Sequence, residues 1–318
     1  MLVELPTKSY LSGLTALSGL TAKLADAGGY NFATTGVMMW LSQLAYETAD
    51  PKKIDEILDK WGLTRIALLK GRLSSILPLV DTRGLIVQGW GGTIVAFAGT
   101  DPLVPANWLT NFDTLPSPDD IHTGFENAVN SVWPDIRLAI LEPERAQQPL
   151  FFTGHSLGGA LAVVAAKLVW RDRLANLSGV YAFGMPRSGG RRFGEEYASE
   201  LGPKTYRLVH GNDIVPTVPP SNFGFRHVGC LLSCRHGAEF NPADRPAQAQ
   251  TDEPPFASSV LQGIRDVLQI AVGTDVPAAT QPGTLGEAFR FLPPGIGDHI
   301  PSRYLHALGF KLFDASNT

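Results

Sequence analysis

Gly154-His155-Ser156-Leu157-Gly158 is a GxSxG pentapeptide in a chain of 318 residues. In a glycine-rich chain that pattern is weak by itself, so its neighbours decide what it means. Pro149–Thr153 before it reads as a buried strand (Leu150, Phe151, Phe152), and Leu157–Trp170 after it reads as a helix. A serine between a strand and a helix sits on a sharp turn that holds its hydroxyl out at the carboxyl end of the sheet. The first amides of the helix can there stabilise negative charge developing on a substrate oxygen. These residue types suit nucleophilic attack by Ser156.

A serine hydroxyl needs a base to take its proton, and the base needs a carboxylate to orient it. For a nucleophile on a strand–helix elbow, acid and then histidine follow in chain order. The expected strand Thr205–Val209 leads into His210-Gly211-Asn212-Asp213-Ile214-Val215-Pro216, which puts Asp213 in a loop at a strand's carboxyl end. Position alone allows an ordinary turn there equally well. Four histidines follow Asp213. His227 falls in an expected strand, Phe225–Val228, and suits a structural role. His236 lies in an irregular stretch next to the cysteines. His306 belongs to an expected terminal helix. His299 lies in Gly297-Asp298-His299-Ile300-Pro301, a loop just before that helix, and from such a loop a ring can swing over the sheet.

An oxyanion needs at least two donors. One candidate is the amide of Leu157, and another is Thr100 in Phe97-Ala98-Gly99-Thr100-Asp101, although Gly-Thr-Asp also reads as a plain turn. Leu103, Val104, Trp108 and Phe112 follow among prolines, the last three at four-residue spacing. They suit either a short apolar helix over a pocket or an apolar loop pinned into the core.

The elements around these residues alternate between strand and helix. Val37, Met38, Leu41, Leu44 and Ala45 recur at helical spacing, and Ile54–Trp61 reads as a second helix. Leu85–Gln88 and Thr93–Ala98 read as strands joined at Gly91-Gly92. Gly124–Leu141 is expected as a helix, Gly179–Phe183 as a strand and Arg191–Leu201 as a helix. Asn241–Pro255 is expected as an exposed loop, Phe256–Val272 as a helix, Pro277–Pro282 as a loop and Ser302–Phe313 as a helix. Strands separated by helices imply crossovers, hence an α/β fold whose mostly parallel sheet is covered on both faces. No linker demands a second domain, so residues 1–318 are read as one.

Composition narrows the function. With 44% hydrophobic and 18% charged residues the chain can bury a large core. A net charge of −4 without basic runs argues against nucleic acid. Cys230 and Cys234 make neither a zinc pattern nor a disulfide framework, which leaves two incidental thiols or one local disulfide. No cluster has metal-ligand spacing, and no cofactor is implied. Glu4, Pro6, Lys8, Lys23 and Asp26 break up the start, so no signal peptide is recognisable. The longest apolar run, Leu157–Ala166, is too short to span a bilayer. The expectation is a soluble chain, cytoplasmic or secreted by a route without a classical signal.

Several motifs together resemble the class 3 lipase family of α/β-hydrolases, typified by fungal triacylglycerol lipases. They are Phe97–Asp101, Asn107–Phe112, Ile121–Phe125, Thr153–Ala162, Ala182–Pro186, Asn212–Pro216, Phe225–Gly229 and Asp298–Tyr304. The resemblance implies an α/β-hydrolase fold with a short lid at about 102–115. It assigns Ser156 as nucleophile, Asp213 as acid and His299 as base, Thr100 and Leu157 as oxyanion donors, and structural roles to His155 and His227. Leu103, Val104, Trp108 and Phe112 match the lid and substrate-contacting region. The implied activity is carboxylic-ester hydrolysis, foremost of triacylglycerol at a lipid–water interface. Phospholipase A1, feruloyl or polyester esterases, or a non-catalytic binding module of the same fold stay open as alternatives. The 86 residues from Asp213 to His299 are long for the family, and 241–284 reads as an insertion. Secreted members carry a signal and several disulfides, and this sequence displays neither.

Overall fold

The structure, a computed structural model, describes residues 4–17, 29–71, 82–99, 117–248 and 294–312. Thr100, the expected lid, the expected helix Phe256–Val272, the loop Pro277–Pro282 and most of the expected insertion lie outside the described residues. Among the described residues eight strands form one sheet in chain order: β1 (Thr64–Gly71), β2 (Thr82–Gly89), β3 (Gly92–Phe97), β4 (Leu150–His155), β5 (Leu177–Phe183), β6 (Thr205–His210), β7 (Cys230–Cys234) and β8 (Ala247–Gln248). β3 to β7 run parallel, while β1, β2 and β8 pair antiparallel at the two ends. This is the mostly parallel, helix-flanked sheet expected from the sequence.

Strand residues alternate between two buried faces, as a period of two requires. Ile94, Ala96, Phe151, Tyr181, Phe183 and Leu208 pack on one side with α1 (Thr7–Leu17), α2 (Phe32–Leu44), α3 (Pro51–Trp61) and the helix that follows His299. Val95, Phe97, Phe152, Val180 and Ala182 pack on the other with α4 (Thr123–Asn130), α5 (Trp133–Leu141), α7 (Leu157–Arg171) and α8 (Arg191–Glu200). Burial on both faces is why these strands read as continuous apolar runs. The remaining α-helices among the described residues are short: α6 (Pro143–Ala146), α9 (Pro294–Gly297) and α10 (Pro301–Ala307). Local chemistry sets the ends of α3. Asp50 caps its start by accepting from the Lys53 amide at 3.1 Å, and Gly62 ends it at φ +68°.

Several spans differ from expectation. Gly124–Leu141 is two helices, because Val132 at φ −119° precedes Trp133 and Pro134, and proline cannot continue the preceding turn. The hairpin turn is Trp90-Gly91 (φ +51° and +82°), one residue earlier than Gly91-Gly92. Phe225–Val228 is not a strand. Arg226 makes a single bridge to Gly189, and β7 begins at Cys230, after Gly229. The terminal helix stops at Ala307, since Gly309 at φ +86° turns the chain away. Within Asn241–Pro255, Ala247–Gln248 pairs with β7. Cys230 and Cys234 are free, and at opposite ends of a five-residue strand they lie about 13 Å apart, too far to bridge. Among the described residues no helix is long and apolar enough to cross a membrane.

Candidate active site

Ser156 occupies the turn between β4 and α7 with φ +60° and ψ −130°, a combination a serine rarely adopts. Close backbone approach holds it there. A side chain at Gly154 would collide with the Gly158 carbonyl, and one at Gly158 would collide with the Phe97 carbonyl on β3. The Ser156 amide donates to the Phe183 carbonyl of β5 at 2.8 Å, tying the elbow to the next strand. Leu157 opens α7, so its amide belongs to the first turn, whose N–H groups have no partner within the helix. The chain leaving β3 runs against this elbow. A Cβ on Gly99 would lie 2.7 Å from the His155 carbonyl oxygen and 3.0 Å from Ser156 Cβ.

The structure brings Ser156, His299 and Asp213 together, all buried. His299 Nε2 is 2.8 Å from Ser156 Oγ, and Nδ1 is 3.0 and 2.9 Å from the two Asp213 carboxylate oxygens. A carboxylate only accepts, so Nδ1 carries the proton and the Nε2 lone pair faces the serine hydroxyl. Asp213 takes two further bonds, from the Val215 amide at 2.9 Å and the Tyr304 hydroxyl at 2.6 Å. Burial and then the Asp213 charge push the Tyr304 hydroxyl far above the usual phenol range, so it stays a donor. The Tyr304 oxygen in turn accepts from the His210 amide at 3.2 Å.

His155 holds the base from below. One of its nitrogens, Nε2, is 2.7 Å from the His299 carbonyl, which can only accept, and Nδ1 is 2.8 Å from the Tyr46 hydroxyl. Burial, and then the nearby His299, keep this imidazole well below its ordinary pKa, so it is neutral. Neutral His155 therefore donates from Nε2 and accepts the Tyr46 proton at Nδ1. His227 Nε2 lies 2.7 Å from the Pro216 carbonyl, just past Asp213, and His306 is exposed on α10. His236 lies on Asp298, not on Asp213. Among the described residues no group of three or more His, Cys, Asp or Glu could hold a metal ion.

A strained serine on a strand–helix elbow, within reach of an imidazole oriented by a carboxylate, finds a counterpart among known proteins. A family model for lipase (class 3) matches residues 94–223, which include the elbow and Asp213. Over those residues the chain is similar to class 3 lipases. A secreted mono- and diacylglycerol lipase of Fusarium solani is 38% identical over 129 residues, covering 38% of this chain and 38% of its own. A triacylglycerol lipase of Arabidopsis thaliana is 25% identical over 335 residues, covering 84% of this chain and 62% of its own. These matches thus span less than two thirds of either curated relative. Among solved structures, the Rhizomucor miehei triacylglyceride lipase aligns with a TM-score of 0.56 at 22% identity, over 86% of this chain and 96% of that one. A triacylglycerol lipase whose catalytic centre is described as a serine protease triad aligns at 0.53 and 26% identity, over 63% and 78%. The fold of this chain is the α/β-hydrolase fold.

Sequence reasoning gave no role to Tyr304, Tyr46 or Asp298. Tyr304 carried a signal, since it lies five residues after His299 at the start of a helix. Tyr46 carried none, because its contact with His155 joins positions 109 residues apart.

Proposed function

We propose that the chain is a serine carboxylic-ester hydrolase that cleaves triacylglycerol through an acyl-enzyme on Ser156. The observation that carries this reading is the 2.8 Å contact from Ser156 Oγ to a His299 ring whose other nitrogen faces Asp213. The acylglycerol lipases among its relatives support the substrate class. Ser156 attacks the ester carbonyl while His299 Nε2 takes its proton, and Asp213 stabilises the resulting imidazolium. The Leu157 amide and Thr100 hold the oxyanion. Collapse breaks the ester bond, and the leaving alkoxide takes the proton from His299. Water, deprotonated by His299, then attacks the acyl carbonyl and releases the fatty acid, and Ser156 recovers its proton. Leu103, Val104, Trp108 and Phe112 are assigned to an apolar lid that opens at a lipid surface.

The test compares wild type with Ser156→Ala on tributyrin taken through its solubility limit. Wild type is expected to hydrolyse it, with a jump in rate once droplets form. The variant is expected to lose roughly a hundred-thousand-fold or more of that rate. Near-wild-type activity of Ser156→Ala would overturn the assignment, and a smooth saturation curve would remove the lid.

A further inference from the structure

A second carboxylate–imidazole pair stands directly behind the first. Asp298 precedes His299 in the chain, and its side chain is only 3% exposed. Its carboxylate accepts from the Asn212 amide at 2.7 Å, and both oxygens lie 2.8 Å from His236 Nδ1. Asn212 is the residue before Asp213. One side chain therefore joins the backbone that carries the acid to the backbone that carries the base, across 86 residues of sequence. The acid loop comes so close that a side chain at Gly211 (φ +59°) would collide with the Asp298 carboxylate. His210 closes the group, with Nδ1 3.3 Å from the Asp298 carbonyl oxygen.

We propose that Asp298 is a positioning residue that sets the His299–Asp213 geometry, and that His236 locks it in place. The proposal rests on the ester-hydrolase reading of the site. Because a carboxylate only accepts, His236 Nδ1 must carry the proton in this contact. Among the described residues His236 makes the only side-chain hydrogen bond to the Asp298 carboxylate, with His210 Nδ1 farther off at 3.8 Å. It does so with a side chain 61% exposed, in a cleft also lined by Glu239, Arg303 and His306. A buried anion left with a single hydrogen bond, from the Asn212 amide, and the His210 ring at 3.8 Å would draw away from its site toward water, and His299 would move with it. An error of about 1 Å in the base costs on the order of a hundredfold in rate, which makes a contact behind the site a kinetic element.

The experiment uses the full chain and four variants: Asp298→Ala, Asp298→Asn, His236→Ala and His236→Asn. Asparagine at 298 still accepts from the Asn212 amide, and asparagine at 236 places a donor near the position of Nδ1. Three readouts are taken. They are kcat and KM on soluble p-nitrophenyl butyrate, the low-field proton resonance of His299 Nδ1–H, and the melting temperature. Asp298→Ala is expected to lower kcat about a hundredfold with KM little changed, and to lose the low-field resonance. His236→Ala is expected to lower kcat about tenfold, and each asparagine variant to recover most of the loss. Alanine variants that fold and keep both kcat and the resonance overturn the proposal, as do asparagine variants no better than alanine. If Asp298→Ala does not fold, the exposed position 236 decides. If wild type turns over no ester, the ester-hydrolase reading fails, and the resonance still decides whether Asp298 and His236 hold His299.

Discussion

Ser156 and the His299–Asp213 pair are held in place by different means. The serine owes its position to contiguous residues, Leu150 to Gly159, and to backbones packed too closely for side chains at Gly154 and Gly158. The acid and base owe theirs to side chains from distant parts of the chain: Tyr304 on Asp213, Asp298 on the Asn212 amide, and His155 on the His299 carbonyl. The first construction is steric and made of backbone, the elbow's own and that of the neighbouring strand β3, and one added methyl group breaks it. The second is polar and long-range, so losing one bond should weaken it by degrees.

Gly158→Ala is the largest break. Its Cβ would meet β3 backbone, which cannot retreat without moving the sheet. Expected are a loss of about 3 kcal/mol of stability, seen as a melting temperature several degrees lower, and ester hydrolysis more than a hundredfold below wild type. A variant with wild-type activity would show that the elbow tolerates a side chain. Tyr304→Phe sharpens the other half. It removes one charge-assisted bond from Asp213 and leaves three contacts to that carboxylate. A fall in kcat of about tenfold is expected, with KM unchanged. A loss as complete as that of Ser156→Ala would mean that the acid–base corner fails as abruptly as the elbow.

Acid titration has the smallest effect near neutral pH. His122 stacks on Phe125 with ring centroids 4.3 Å apart, and burial lowers its pKa to about 4. In the unfolded chain it would take a proton near pH 6.5. Between those values the unfolded state binds more protons, so stability is fully present above about 6.5 and declines as pH falls toward 4. His155 and His227, kept neutral chiefly by burial, act in the same direction. Thermal unfolding from pH 7 to 4 should show this slope, and His122→Asn should make it shallower by about one proton. An unchanged slope in that variant would mean that His122 is charged in the folded protein.

The same division separates what could be read in the sequence from what could not. The central strands and α7 were legible because burial on both faces leaves long apolar runs, bounded here by glycine and polar turns. β1 was missed. Its pattern Thr-Arg-Ile-Ala-Leu-Leu-Lys-Gly neither alternates cleanly nor runs apolar, since it is a half-buried end strand paired on one side. The helix expected over Gly124–Leu141 concealed a break because its apolar spacing continues through Pro134. Ser156 was marked by a local motif, whereas Asp213 and His299 were first singled out by chain order and loop position, and each then had competing readings.

The residues alone determined a strand–helix elbow with a serine on it, the alternation of strands and helices, and the order serine, acid, histidine. These follow from backbone sterics and hydrophobic periodicity, which act over a few neighbouring residues. The tertiary structure alone decided that His299, and not His236, meets Ser156, that Tyr304 and Tyr46 stand behind the imidazoles, and that Asp298 binds the acid loop to the base loop. Those choices depend on hydrogen bonds a few ångströms long between residues up to 144 positions apart, and no local pattern encodes a distance of that kind.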